Sequence, residues 1–253
     1  MNLILLAPGE ITGSGEAVLT DARAGHLQGV LKVIPGQTVR IGVTDGPRGE
    51  GTVSAMAPGS VTLQCTFERA APPPPAIDLL LALPRPKVMK RLWAQLAALG
   101  VGRIILTSAG RVERHYFDTH VLTPECFRPL LVEGLQQARD TRMPVVSIHR
   151  RFRILVEDEL DAMAGDAVRL LAQPDAPWSI RERLRERPGG RVLLAVGPEG
   201  GWTGFEARLL ESHGFLPAAM GARTLRSDTA CIALVALARD ATEERGRNAS
   251  QLA

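Results

Sequence analysis

The spacing of apolar residues changes near position 71 and divides the chain into two parts. In the first part, short apolar and β-branched runs alternate with turn signals, such as Asp-Gly-Pro at 45–47 and Pro-Gly at 58–59. This pattern predicts strands over residues 37–43, 50–55 and 60–67. The first part is therefore typical of a small β-rich domain.

In the second part, continuous apolar runs alternate with segments of helical spacing. The run at 77–83 is followed by apolar residues three or four positions apart between Val88 and Leu99, and Gly100 supplies a helix end. Further strands are predicted over residues 103–107, 145–149, 167–173, 191–196 and 217–220. Strands that alternate with helices in this way indicate a parallel α/β sheet.

Two helices of the second part carry additional signals. Thr203 and Glu206 are spaced as a capping box, which predicts a helix that begins directly after residue 202. The last predicted helix, residues 228–238, is apolar on every face. It must therefore be buried, either against its own core or against a partner subunit.

A proline-rich segment separates the two parts. Residues 71–76 read Ala-Pro-Pro-Pro-Pro-Ala, and consecutive prolines favour a stiff polyproline II spacer. We therefore expect a β-rich domain over residues 1–70, a linker over 71–76 and an α/β domain over 77–253.

The composition indicates a cytoplasmic protein and argues against a disulfide framework, a zinc site and a secretion signal. Of the 253 residues, 45% are hydrophobic and 23% are charged, so a substantial core can form, and the net charge of +3 permits an anionic partner. Three distant cysteines fit neither a disulfide framework nor a zinc site, and the apolar N-terminal run is too short for a secretion signal. We expect a cytoplasmic protein without a metal or a membrane partner.

Common catalytic signatures are absent from the sequence. It contains no phosphate loop of the G-x-x-x-x-G-K-[ST] type, no G-x-G-x-x-G after the first strand of the second part and no G-x-S-x-G elbow. The spacing of the histidines, which are His26, His115, His120, His149 and His213, does not indicate metal ligation.

Two loops of the second part are the candidate binding elements, because ligands of open α/β sheets collect beyond the carboxyl ends of the strands. The first, Gly-Pro-Glu-Gly-Gly at 197–201, lies between a buried strand and the capped helix, and its glycines leave the backbone accessible. The second, residues 220–230, contains two arginines and joins the next strand to the last helix. Alone, each loop is also compatible with an ordinary surface turn.

Together, the two loops resemble the C-terminal part of the SPOUT methyltransferases. The G-x-R-x-L-R-x-D-T-A sequence at 221–230 is similar in particular to the ribosomal RNA small-subunit methyltransferase E family, which methylates N3 of a uridine in 16S ribosomal RNA. Residues 26–32 and 35–37 resemble that family's PUA-like RNA-binding domain. The sequence departs from the family pattern at Ala98, at 136–142 and at Asp228.

The resemblance implies a fold and a cofactor. The fold would be a SPOUT-type α/β parallel sheet with a C-terminal trefoil knot, preceded by a small PUA-like β-barrel domain, in a homodimer. The cofactor would be S-adenosyl-L-methionine. The residues that would surround it, carried over by position, are Leu171, Ala172, Gly197, Glu199, Gly200, Gly201, Met220, Gly221, Leu225, Arg226 and Thr229.

The implied reaction needs few catalytic groups, because the sulfonium of the cofactor already activates the methyl group and placement supplies much of the acceleration. Uracil N3 carries a proton, so a base or a cation that stabilises the developing anion would help. Arg226 is the candidate for the electrostatic role, and Glu199 is the candidate base.

The expected partner is 16S ribosomal RNA or the small ribosomal subunit. Basic residues in both parts could form a phosphate-binding surface, although each alone could equally lie on a solvated face. The candidates are Lys32, Arg40, Arg48, Lys87, Lys90, Arg139 and Arg142, with Arg91 beside them. Two alternatives stay open: a SPOUT methyltransferase acting on transfer RNA or a ribose hydroxyl, and a non-catalytic, ribosome-associated RNA-binding protein.

Overall fold

The computed structural model describes residues 2–185, 190–221, 223 and 225–252, with residues 244–252 described by their backbone alone. Two compact units share the chain. The N-terminal unit comprises Met1–Pro74 and Leu131–Met143, and the C-terminal unit comprises Pro75–Leu130 and Pro144–Ala253.

The N-terminal unit is built on a sheet with the strand order β1-β3-β4-β5-β2. β1 is parallel to β3, and the other neighbouring strands are antiparallel. A helix, α1, begins where the Asp21 carboxylate accepts a hydrogen bond from the Arg23 N–H. The elements are β1 Ile4–Leu6, β2 Glu16–Leu19, α1 Ala22–Gly29, β3 Thr38–Val43, β4 Arg48–Ala57 and β5 Ser60–Phe67.

The predicted strands at 37–43, 50–55 and 60–67 are confirmed as β3, β4 and β5. The pattern did not predict β1, which has three residues and pairs with β3 more than thirty positions later. The segment 131–143 also escaped prediction as part of this unit. Its Thr141 is fully buried, and the Thr141 hydroxyl donates to the Gly46 carbonyl at 2.7 Å.

The C-terminal unit contains a sheet in which every neighbouring pair of strands is parallel, in the order β11-β9-β10-β6-β7-β8. This confirms the predicted parallel α/β sheet. The strands are β6 Ile77–Ala82, β7 Val101–Thr107, β8 Val145–His149, β9 Val168–Ala172, β10 Val192–Val196 and β11 Leu216–Ala218. β6 and β10 are buried along their whole length, as expected of central strands covered on both faces.

Helices connect these strands. They are α2 Pro86–Ala98, α3 Pro124–Ala138, α4 Phe152–Ile154, α5 Leu160–Ala164, α6 Ile180–Arg185, α7 Gly204–Ser212 and α8 Ser227–Leu252; a π-helical turn, Leu155–Glu159, lies between α4 and α5. The positive φ of Gly100 ends α2, as predicted. The predicted capping box of α7 is present as well.

Two boundaries of the C-terminal unit differ from the prediction. The strand expected at 217–220 is β11, which ends at Ala218 because the Ala219 N–H donates to the Trp178 carbonyl instead of continuing the ladder. The last helix extends to Leu252 instead of ending near 238. Its residues 230–238 are only partly covered within the chain, since Leu237 remains 40% exposed.

Candidate functional site

The candidate site lies at the carboxyl ends of three neighbouring strands, β11, β9 and β10. Because Leu171 pairs with Ala195 and Ala172 pairs with Ala218, these strands end at nearly the same level. The loop 197–201 follows β10, and the loop 219–226 follows β11 and leads into α8. Both loops therefore meet at one edge of the sheet, where parallel α/β sheets place their ligands.

A cleft opens between these loops and the first turns of α8. Its base is apolar, with Val196 and Ala218 from the strands and Ala230 and Leu234 from α8. The predicted site residues that line it are Ala172, Gly197, Glu199, Gly201, Met220, Gly221 and Leu225. Positions 222 and 224 of the second loop lie outside the described residues.

Four predicted cofactor residues do not line the cleft. The Leu171 side chain is fully buried in the core beside Phe215, because consecutive residues of a strand point to opposite faces and only Ala172 points to the cleft. Gly200, within the first loop, faces Arg111 instead of the cleft. The Arg226 side chain is 73% exposed, and Thr229 is exposed in the first turn of α8.

The Trp202 indole forms a wall of the cleft that sequence reasoning missed. It packs against Phe152, with the ring centroids 5.4 Å apart, and its Nε1 is buried with no hydrogen-bond partner. A Cβ atom at Gly197 would lie 3.1 Å from the indole edge. A side chain at position 197 would therefore press against the Trp202 indole.

A hydrogen bond joins the two loops. The Ser227 hydroxyl donates to the Glu199 carboxylate at 3.1 Å, and Ser227 is buried at the first turn of α8. Glu199 itself lines the cleft. This carboxylate therefore lies where it can accept a proton or bind a cationic or hydrogen-bond-donating ligand, with its orientation fixed by Ser227.

An ion-pair cluster lies at the rim of the cleft. The Asp228 carboxylate accepts from Arg91 of α2 at 2.9 Å, and the Arg226 guanidinium lies 3.5 Å from it. Burial opposes ionisation of Asp228, but the bond from Arg91, the Thr229 N–H and the charge of Arg226 outweigh it, so the pKa of Asp228 is lowered. The carboxylate therefore stays charged and holds the arginine-bearing loop against α2.

A third loop supports the first one from behind. It follows β7, and its Arg111 guanidinium donates to the Gly200 carbonyl, while the Gly110 N–H donates to Glu206 Oε1 at 2.6 Å. The other oxygen of Glu206 accepts from the Thr203 N–H at 2.7 Å. One buried carboxylate thus caps α7 and anchors the third loop.

The basic residues predicted to bind RNA occupy several places. In the N-terminal unit, Arg40, Arg48 and Arg139 line one cavity together with Glu50 and Glu68. Arg48 Nε is buried there with no hydrogen-bond partner. The structure therefore brings together three predicted arginines, although two of them come from the sheet and the third follows α3.

The remaining candidates are dispersed. Lys32 is exposed with a positive φ of 51° in the N-terminal unit, and Lys87 and Lys90 are exposed on α2. Arg142 is partly buried, and its guanidinium already donates to the carbonyls of Pro72 and Asp45. Arg142 therefore has a structural role within the N-terminal unit.

Several lining residues could have been found from the sequence. Gln173 ends the strand predicted at 167–173 and Pro174 follows it directly, and Ala230 and Leu234 are one helical turn apart on α8. Arg111 gave no such signal, since its partner Gly200 is 89 positions away.

Two further findings concern the described part of the chain. There, no group of three or more His, Cys, Asp or Glu side chains is placed to hold a metal ion. Among the same residues, no helix has the length and hydropathy needed to span a membrane.

Comparisons with known proteins point to one family. The profile of the RNA methyltransferase domain matches residues 71–239. Ribosomal RNA small subunit methyltransferase E of Treponema pallidum is 29% identical over 94% of this chain and 90% of its own, and the protein of the same name from Synechocystis is 26% identical over 90% and 73%. These relatives confirm the resemblance predicted from the two loops.

A solved structure shares the fold. Ribosomal RNA small subunit methyltransferase E from Neisseria gonorrhoeae, crystallised bound to S-adenosyl methionine, superposes with a TM-score of 0.76 at 20% sequence identity, covering 95% of this chain and 97% of that one. The arrangement of strands and helices described above is therefore that of an experimentally observed fold.

Proposed function

The chain belongs to the RNA methyltransferase domain family, and from this premise we propose that it transfers a methyl group from S-adenosyl-L-methionine to N3 of one uridine in 16S ribosomal RNA. The observation that carries the proposal is the cleft at the carboxyl ends of β11, β9 and β10. Two glycine-containing loops border it, and neither a metal cluster nor a nucleophile elbow lies beside it among the described residues.

The residues of the cleft fit this cofactor. The apolar base of Val196, Ala218 and Leu234 suits the face of an adenine ring, and the glycines at 197, 201 and 221 leave main-chain groups uncovered for its polar atoms. A Cβ at Gly221 would meet no atom within 4 Å, so this stretch of backbone is open towards a ligand. When bound, the cofactor supplies a methyl group that its sulfonium has already activated.

Arg226 and Glu199 have separate roles in the proposed reaction, charge stabilisation and proton removal. Arg226 is permanently charged, and its exposed guanidinium can turn towards a uracil carbonyl that flanks N3 and stabilise the negative charge that develops there. Glu199, held by Ser227, is positioned to take the N3 proton.

The proposal extends to the fold and the assembly. It includes a trefoil knot in the C-terminal unit, a PUA-like role in RNA binding for the N-terminal unit and a homodimer formed through α8. The domain limits proposed from the sequence, residues 1–70, 71–76 and 77–253, are kept except that the segment 131–143 is assigned to the N-terminal unit. Support comes from the family match and from the exposed Leu237 on α8.

The test of the reaction is methyl transfer from labelled S-adenosylmethionine to small ribosomal subunits isolated from cells that lack this protein. Mass spectrometry of the digested RNA should yield 3-methyluridine from one site in 16S ribosomal RNA. Cofactor binding without transfer would favour the non-catalytic RNA-binding alternative, and a different methylated nucleoside would favour another SPOUT activity.

The role of Arg226 gives a separate prediction. We expect Arg226→Ala to lower kcat by about 100-fold or more, because one electrostatic donor to a developing anion is removed. The Kd of the cofactor, measured by calorimetry, should stay within about twofold of the wild-type value, since Arg226 does not line the cleft. Arg208→Ala, which removes an exposed guanidinium from α7, is the matched control. Full activity of Arg226→Ala would remove the residue from this role.

Glu199→Gln separates proton transfer from cofactor binding. The amide can still accept a hydrogen bond from Ser227 but cannot take a proton at neutral pH. If Glu199 is the base, kcat falls while cofactor affinity is retained. A rise in the cofactor Kd with unchanged kcat would assign Glu199 to binding alone.

A further inference from the structure

A second cleft lies at the same edge of the C-terminal sheet, beyond the carboxyl ends of β7 and β8. It has a volume of about 600 Å³ and is formed by the loops that follow β7 and β8. The pairing of β7 with β8 brings these loops together: Thr107 pairs with His149, and the Ser108 hydroxyl donates to the Arg150 carbonyl at 2.9 Å. The pairing of these two strands thus fixes the position of the second cleft.

The lining of this second cleft is cationic. It contains the side chains of Arg114, Arg150 and Arg151, and no acidic residue is among the described residues that line it. Arg150 lies over the Phe117 ring and pairs with Asp118 at 3.0 Å. Arg114 and Arg151 are exposed, and neither forms an ion pair within the described residues. Two guanidinium groups are therefore available to an external anion.

Direct contacts connect the second cleft to the cofactor cleft. Gly110, which lines the second cleft, is bound to Glu206 of α7, and the adjacent Arg111 binds the carbonyl of Gly200 in the first glycine loop. In the sheet, only β6 separates β7 from β10. Two strand spacings amount to about 10 Å, so the two clefts are close enough for a few nucleotides to reach both.

The geometry points to a docking site for the phosphodiester backbone of the substrate RNA, formed by Arg114, Arg150 and Arg151 beside the methyl-transfer site. Arginine is suited to this because its planar fork meets phosphate oxygens in pairs and never loses its charge. The inference rests on the proposed function, since it assigns the backbone next to the target uridine to this cleft. It adds a contact surface next to Arg111, whose guanidinium binds the Gly200 carbonyl of the first loop.

The experiment measures binding of the full chain to small ribosomal subunits from cells that lack this protein, at several salt concentrations. The double variant Arg114→Gln, Arg151→Gln should raise Kd by about tenfold at moderate salt. Each lost phosphate contact should also lower the slope of log affinity against log salt by about 0.7 to 0.9. Methyl transfer should show a higher KM for the subunits with kcat largely retained, and cofactor affinity should not change.

The matched control carries the same change in net charge elsewhere. Arg128 is exposed on α3, and Arg208 is exposed on α7. Arg128→Gln, Arg208→Gln should leave the salt slope near the wild-type value. Equal losses in both double variants would show an effect of net charge alone and overturn the docking site.

Failure of this inference is distinguishable from failure of the proposed function. If the wild-type chain binds and methylates the subunits and the Arg114, Arg151 variant does so with the same Kd and salt slope, only the docking site is overturned. If the wild-type chain neither binds nor methylates them, both the proposed function and the docking site are overturned.

Discussion

Gly197 lines the cleft proposed for the cofactor. Because it has no side chain, the Trp202 indole can pack directly against its backbone. A Cβ there would lie 3.1 Å from two atoms of the indole ring and 3.2 Å from the Trp202 main-chain nitrogen. The nitrogen belongs to the backbone and cannot turn away as a flexible side chain can. The close approach therefore fixes both the shape of the loop and the position of the indole wall.

We expect Gly197→Ala to weaken cofactor binding by about tenfold, because forcing extra volume into a packed site costs about 1–3 kcal/mol. Calorimetric titration with S-adenosylmethionine measures the effect. Gly204→Ala is the control, since a Cβ at the first residue of α7 would meet only the mobile Arg208 guanidinium, at 3.3 Å. Wild-type affinity in Gly197→Ala would show that the Trp202 contact does not shape the site.

At the scale of elements, Glu206 in the first turn of α7 both caps the helix and binds the loop after β7. Glu206 accepts from the N–H of Thr203 through one oxygen and from the N–H of Gly110 through the other, and its side chain is buried. A local capping motif and a contact between α7 and a loop 96 positions earlier thus depend on one carboxylate. The sequence predicted the first function of Glu206 but gave no indication of the second.

Two substitutions separate these functions. Thr203→Ala removes only the cap and should lower the free energy of unfolding by about 1 kcal/mol. Glu206→Ala also leaves the Gly110 N–H without its partner, so the loss should be larger, about 2–3 kcal/mol. Urea denaturation measures both, and cofactor affinity should fall more for Glu206→Ala. Equal effects of the two variants would mean that the bond to Gly110 contributes nothing.

At the scale of the whole molecule, α8 links the cleft proposed for the cofactor to the proposed subunit interface. Cys231, Leu234, Val235 and Ala238 are buried within the chain, whereas Leu237 on the same helix is 40% exposed. Cys231 is enclosed completely, and burial raises the pKa of its thiol to about 12, so it is a core residue and not a nucleophile. In the proposed homodimer, the exposed Leu237 would face the second copy.

We expect light scattering to give twice the mass of one chain. Leu237→Glu should shift the protein towards the monomer and reduce methyl transfer, because a charge would be buried in the interface. Val145→Glu, which charges an exposed apolar residue on the edge strand β8, should leave the dimer intact. A monomeric wild-type protein with full activity would contradict a site that depends on the dimer.

The sequence by itself determined the parallel sheet, most strand limits, the cap of α7 and the two glycine loops. Each of these features depends on residues close together in the chain, so the local spacing of apolar, capping and glycine residues records it. The length of α8 was wrong, since its apolar pattern stops near 238 while the backbone remains helical to Leu252. Leu171 stays a prediction for the cofactor site, although its side chain is buried on the face of β9 that points away from the cleft.

Only the tertiary structure decided which residues meet. Strand order places β9 between β10 and β11, which brings Glu199 to Ser227, and it places the loop after β7 behind Gly200. The segment 131–143 joins the N-terminal unit through Thr141 in the same way. Such contacts link positions far apart in the chain, so no local pattern records them; they follow from the pairing of strands and the burial of apolar faces in three dimensions.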